Sequence, residues 1–84
     1  MDDKVIVDFF NNETKYSTEI EIPLNITAND LAMSLNQAYD LQMDMDNKFN
    51  CYLVAENPIA FLRGNKTLKD FGIRKGSIII YTRR

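Results

Sequence analysis

Histidine and tryptophan are missing from the 84-residue chain, and cysteine occurs once, as Cys51. A lone cysteine excludes an internal disulfide, and without histidine the usual zinc sets and imidazole acid–base pairs are out of reach. Nothing near Cys51 in sequence supplies a base to activate it, so it reads as a small core or half-buried residue. No apolar run approaches the ~20 residues that span a bilayer. The opening Met1-Asp2-Asp3-Lys4 is acidic where a secretory signal is basic and then apolar. A cytoplasmic protein without a membrane span is expected, and sequons at Asn12, Asn25 and Asn65 then carry no meaning.

What is present suits one small domain, residues 1–84. A hydrophobic content of 45% supports a single core, and the length of 84 residues argues on size alone against a multistep enzyme. The net charge of −2 is unevenly spread. Residues 1–48 carry ten acids against three bases, and residues 49–84 carry two against seven. Such polarity suits either a solvated surface or an acidic and a basic docking face.

Val5-Ile6-Val7-Asp8-Phe9-Phe10 is β-branched and aromatic, and Asn11-Asn12-Glu13-Thr14-Lys15 after it is turn-like. Thr18-Glu19-Ile20-Glu21-Ile22-Pro23-Leu24 alternates with period two, so Ile20 and Ile22 share one face and Glu19 and Glu21 the other. Pro23, lacking an N–H, belongs at a strand end. A helix follows: Thr27 caps it, Asp30 completes a capping-box-like pair, and Ala28, Leu31, Leu35 and Ala38 recur at helical spacing, with small Ala32 allowing close approach to the sheet. Strands are expected over 49–55, 59–63 and 77–82, the last reached through a helical turn over 67–71, Gly72, and a tight Lys75-Gly76 turn. The order is ββαββ plus a final strand.

Several motifs fail. Asp44-Met45-Asp46-Asn47 begins like a calcium loop, but Lys48 and Phe49 stand where an oxygen ligand and a glycine belong. Gly64-Asn65-Lys66-Thr67 resembles the end of a phosphate loop without its preceding glycine, so it reads as a turn. Met33, Met43 and Met45 fit gap-filling or exposure better than a docking edge. No catalytic residue, metal site or cofactor is expected.

The element order is the β-grasp pattern, and the residues resemble ubiquitin over nearly the whole chain. The resemblance is sharpest in Thr67-Leu68-x-Asp70-Phe71-x-Ile73-x-Lys75-x-Ser77, with Leu62 six residues ahead of Leu68. It implies an α+β, ubiquitin-like β-grasp fold: a mixed sheet, one main helix packed on one face, and a short helical turn before the last strand. The implied core is Val5, Val7, Ile20, Ile22, Leu31, Leu35, Leu53, Leu62, Leu68, Ile73, Ile79 and Tyr81. Conjugating relatives of this fold need a flexible tail ending in Gly-Gly, whereas this sequence ends Thr82-Arg83-Arg84. If residue 84 is the natural terminus, adenylation and isopeptide transfer are not expected.

Among ubiquitin-like proteins without that tail, the chain resembles the YukD/EsaB family associated with bacterial type VII secretion. The Ile22-Pro23 pair closing the second strand and the Leu-rich helix carry this likeness. It implies an accessory or regulatory role in export, exercised through protein contacts.

Strand alternation then suggests where. With Ile79 and Tyr81 inward, Ile78 and Ile80 face out, as do Ile6 on the first strand and Tyr52 and Val54 on the third. These five residues form the candidate partner-binding face, and Thr82 stands where ubiquitin's patch has a valine. The alternative is a self-associating adaptor unrelated to secretion, either a homodimer through the same face or a head-to-tail pairing of acidic and basic halves. Nucleic-acid binding through Arg63, Lys66, Lys69, Arg74, Lys75, Arg83 and Arg84 is disfavoured, because the basic surface is short and lacks interleaved stacking aromatics.

Overall fold

The structure is a computed structural model describing residues 4–43 and 52–82. Five strands and one helix follow in the order β1 (Lys4–Asn11), β2 (Tyr16–Pro23), α1 (Ala28–Tyr39), β3 (Leu53–Glu56), β4 (Ala60–Leu62) and β5 (Ile78–Tyr81). The sheet order is β2-β1-β5-β3-β4. β1 and β5 are parallel and every other neighbouring pair is antiparallel, so the sheet is mixed. The last strand therefore lies in the middle, where its β-branched residues are covered on both edges.

The hairpin forms because the pleat sorts its residues. Val7, Phe9 and Asn11 of β1 are buried while Lys4, Ile6 and Asp8 are exposed. Val7 stands opposite Ile20 and Val5 opposite Ile22 in the register with β2. Pro23 is the last residue of β2, where the missing N–H leaves no ladder bond unmade.

The Thr27 hydroxyl accepts the Asp30 N–H at 3.1 Å and caps α1. Two further N-terminal donors find carbonyls in the 64–67 turn: Ala28 N–H donates to Lys66 and Asn29 N–H to Gly64, each at 3.0 Å. At the other end Asp40 is left-handed, with φ 51°, and its N–H donates back to the Asn36 carbonyl.

The helix buries Ala28, Leu31, Ala32 and Leu35. Ala38, expected on this stripe, is exposed instead. At 3.6 residues per turn it lies about 70° off the centre of the buried face, and Tyr39 takes the place one residue later. Tyr39 stacks against fully buried Phe9 with ring centroids 5.0 Å apart.

The buried core contains Val7, Ile22, Leu31, Leu35, Leu53, Leu62, Leu68, Ile73, Ile79 and Tyr81, while Val5 and Ile20 are half-buried against it. Phe9, Ala28, Ala32, Leu41 and Ala55 complete it. β4 is shorter than the sequence suggested, and β3 runs one residue past its expected end at Ala55. Residues 44–51, which include much of the expected third strand, Cys51, the acidic loop and Met45, lie outside the described residues. Ile59 falls in the 57–59 turn and is 87% exposed, so β4 begins only at Ala60.

Between β4 and β5 no second helix forms among the described residues; a run of turns over 68–72 takes its place. Thr67 caps this run as Thr27 caps the helix, its hydroxyl accepting the Asp70 N–H at 3.2 Å. Phe71 N–H reaches the Thr67 carbonyl and Gly72 N–H the Lys69 carbonyl. Gly72 adopts φ 84° and Gly76 φ 88°, conformations that glycine tolerates and L side chains resist. Buried Ser77 then anchors the start of β5: its hydroxyl donates to the Asn57 carbonyl at 2.7 Å and accepts the Arg74 N–H at 3.0 Å.

Candidate functional site

The sheet has one face against α1 and one away from it, and β5 shows how the two are separated. Ile79 and Tyr81 are buried, and Ile78 and Ile80, which alternate with them, are half-buried on the opposite face. The register places Ile80 beside Phe10 of β1 and opposite Val54 of β3, and Val54 opposite Phe61 of β4. Phe10, Ile80, Val54 and Phe61 thus form one apolar row across four adjacent strands. Tyr52 flanks it, its ring edge-on to Phe61 with centroids 5.9 Å apart. Phe61 is 65% exposed.

One register step along, the row changes character. Ile78 lies between Asp8 of β1 and Glu56 of β3, and Asp8 in turn stands opposite Glu19 of β2. An acidic row, interrupted by Ile78, therefore borders the apolar one. Opposed like charges such as Asp8 and Glu19 weaken a sheet, by a few tenths of a kcal/mol to about 1. Lys15 lies at the far end, its Nζ 6.0 Å from the Phe10 ring centroid.

Of the five residues read from sequence, the structure brings Tyr52, Val54 and Ile80 together. Ile78 joins them along β5, while Ile6 is set apart, separated from Phe10 on its own strand by Asp8 and standing opposite Glu21. Phe10 and Phe61 were missed. Alternation could have found both, since each is adjacent in sequence to a core residue, Phe9 and Leu62, and so must face the other way.

The remaining candidates show no chemistry. The described residues hold no cluster of three or more potential metal ligands. Arg63, Lys66, Lys69, Arg74 and Lys75 are exposed, but two are engaged: Lys66 Nζ sits 5.1 Å over the Phe71 ring and Arg74 donates to Asn57 Oδ1 at 3.0 Å. Arg83 and Arg84 lie outside the described residues. Met33 is 44% exposed on the helix, and Met43 packs against the core. No helix among the described residues is long and apolar enough to cross a membrane.

A five-stranded mixed sheet with a central parallel β1–β5 pair, crossed on one face by a single helix, is the ubiquitin-like β-grasp. Solved structures agree. The ubiquitin-like domain of tubulin-binding cofactor B superposes with a TM-score of 0.73 at 22% identity, covering 95% of this chain and 89% of that one. Ubiquitin of Caldiarchaeum subterraneum gives 0.71 at 15% identity over 96% and 94%. The C-terminal ubiquitin-like domain of mouse tubulin-specific chaperone e gives 0.74 at 9% identity over 99% and 89%. At such identities the likeness concerns the fold alone.

The sequence is more specific. Residues 5–80 match the family described as WXG100 protein secretion system (Wss), protein YukD, and the chain belongs to that family. It is accordingly a ubiquitin-like protein of the kind associated with type VII secretion. Comparison with curated proteins gives no sequence match.

Proposed function

We propose that this protein acts in the cytoplasm as an accessory or regulatory component of a type VII secretion system, binding a protein of the machinery through the outer face of its sheet. The observation that carries this is the apolar row Phe10–Ile80–Val54–Phe61, continuous over four strands on the face that the helix does not cover. Contiguous exposed apolar area of this kind usually marks a recognition surface. Tyr52 and Ile78 extend the face, and Asp8, Glu19 and Glu56 give it an acidic margin that selects a partner with a basic rim. Ile6 belongs to the periphery.

The test is export. Strains carrying Phe61→Glu or Ile80→Glu are expected to lose secretion of small helical substrates while the protein accumulates to its normal level. Normal secretion in both strains would contradict the proposal.

A second reading is self-association. β2 and β4 are opposite edges of the sheet, so Glu19 and Glu21 lie at one end and Arg63 follows the strand at the other, an arrangement suited to head-to-tail pairing. Sedimentation separates the readings: charge-held oligomers dissociate as salt shortens the screening length, and an apolar homodimer through the outer face persists.

A further inference from the structure

A second surface, on the other side of the molecule, is formed by the free edge of β2 and the flank of α1. A groove of about 510 Å³ runs between them, with Ile20, Ile22, Ile26, Leu31, Leu35 and Tyr39 in its wall. Asp30 and Glu21 are on its rim, and no lysine or arginine lines it.

The backbone beside this groove is open on one side in an ordered way, with the Thr18 hydroxyl making a long 3.5 Å hydrogen bond to the Glu19 carbonyl. Asp8 N–H donates to the Ser77 carbonyl and Gly76 N–H to the Ile6 carbonyl, so even-numbered residues of β1 aim their peptide groups at β5. The odd-numbered residues Val5, Val7 and Phe9 then aim theirs at β2, where they meet Ile22, Ile20 and Thr18. Alternation along β2 turns the N–H and C=O groups of Ser17, Glu19 and Glu21 outward, along an edge that no described strand covers. On this edge the inward-facing side chains are Ile20 and Ile22 at the groove, and the outward-facing ones are Glu19 and Glu21.

We infer that the β2 edge accepts an extended peptide from another protein as a sixth strand, one whose alternate residues are apolar and whose intervening residues are lysine or arginine. Strand addition uses the open peptide groups for affinity and period-two side chains for selection. The apolar set enters the groove between β2 and α1. The basic set lies on the outer face, opposite Glu19 and Glu21, where unlike charges stabilise and like charges destabilise a cross-strand pair.

A second copy of this chain is a poorer occupant. Pairing β2 with β2 places Glu19 and Glu21 against the same residues of its mate. Pairing β2 with the other edge offers only the three residues of β4 against the eight of β2.

The probe is an eight-residue peptide of alternating valine and lysine, acetylated and amidated, titrated into the isotope-labelled full chain and followed by amide chemical shifts. Saturable shifts centred on Ser17, Glu19 and Glu21, weakened at least tenfold when the lysines are replaced by glutamate or when alternate peptide amides are N-methylated, are the expected result. Glu19→Lys with Glu21→Lys should invert the preference towards the glutamate peptide. Ala38→Arg, an exposed groove position, should block binding while leaving the melting curve unchanged. Shifts confined to Phe10, Val54 and Phe61, equal affinity for the N-methylated peptide, edge shifts produced by protein concentration alone, or no saturable shift would each overturn the inference. The export test stays distinguishable, because Phe61 and Ile80 lie on β4 and β5, away from the β2 edge, and Glu19 is the residue that both surfaces share.

Discussion

The hydroxyl of Tyr81 donates a buried hydrogen bond to the Leu41 carbonyl at 2.8 Å, joining the end of the central strand to the chain just past the helix. A strand slipped by one residue exchanges its two faces. With Tyr81 held against Leu41 and Ile79 fully buried, Ile78 and Ile80 have one face left to occupy, the outer one. Tyr81→Phe orphans the Leu41 carbonyl and should destabilise the fold by ~1–3 kcal/mol. The change is read as a lower denaturant midpoint with an unchanged slope.

Thr27 and Thr67 face one another in an isolated antiparallel bridge, and each caps its own segment through its hydroxyl. Alanine at either site should cost ~0.5–2 kcal/mol. Serine, which keeps the hydroxyl, should restore most of the loss in chemical denaturation.

Leu35 and Ala38 separate the buried stripe of α1 from its flank. Leu35→Ala should cost ~2–5 kcal/mol through the cavity it leaves. Ala38→Ser, at an exposed position, should stay within ~0.5 kcal/mol. Thermal melts of the pair test the assignment of the helix face.

Ser77→Ala removes a buried hydroxyl that both donates to Asn57 and accepts from Arg74. The two orphaned partners should cost ~1–3 kcal/mol. Hydrogen exchange is expected to accelerate first at the Arg74 amide, whose acceptor is the lost hydroxyl.

Much of this was legible in the sequence, for identifiable reasons. The Thr27 cap, Pro23 at the end of β2 and the inward Ile79–Tyr81 pair follow from local rules that tertiary packing did not override. Ala38 was misplaced because three- and four-residue spacing alone does not say where a stripe is centred; Tyr39, drawn to Phe9, fixes that centre. The 67–71 segment carries helical residues but is only long enough for hydrogen-bonded turns, since Gly72 ends it at once. On the outer face, Tyr52, Val54, Ile78 and Ile80 were named from alternation along their own strands. Their grouping with Phe10 and Phe61, and the offset of Ile6, depend on the cross-strand register, which joins residues up to 70 positions apart in sequence, such as Phe10 and Ile80. The groove beside β2 likewise lies between two elements, β2 and α1, and has no signature in any single segment.

The most direct test of the outer-face account is site-specific photocrosslinking in cells that carry the secretion system, with the reactive residue placed at Phe61, at Val54, or at Lys69 as a control. Covalent adducts to the same component of the secretion machinery from Phe61 and Val54, and none from Lys69, are the expected result. Adducts to that machinery from Lys69 alone, or none from either sheet position, would contradict it.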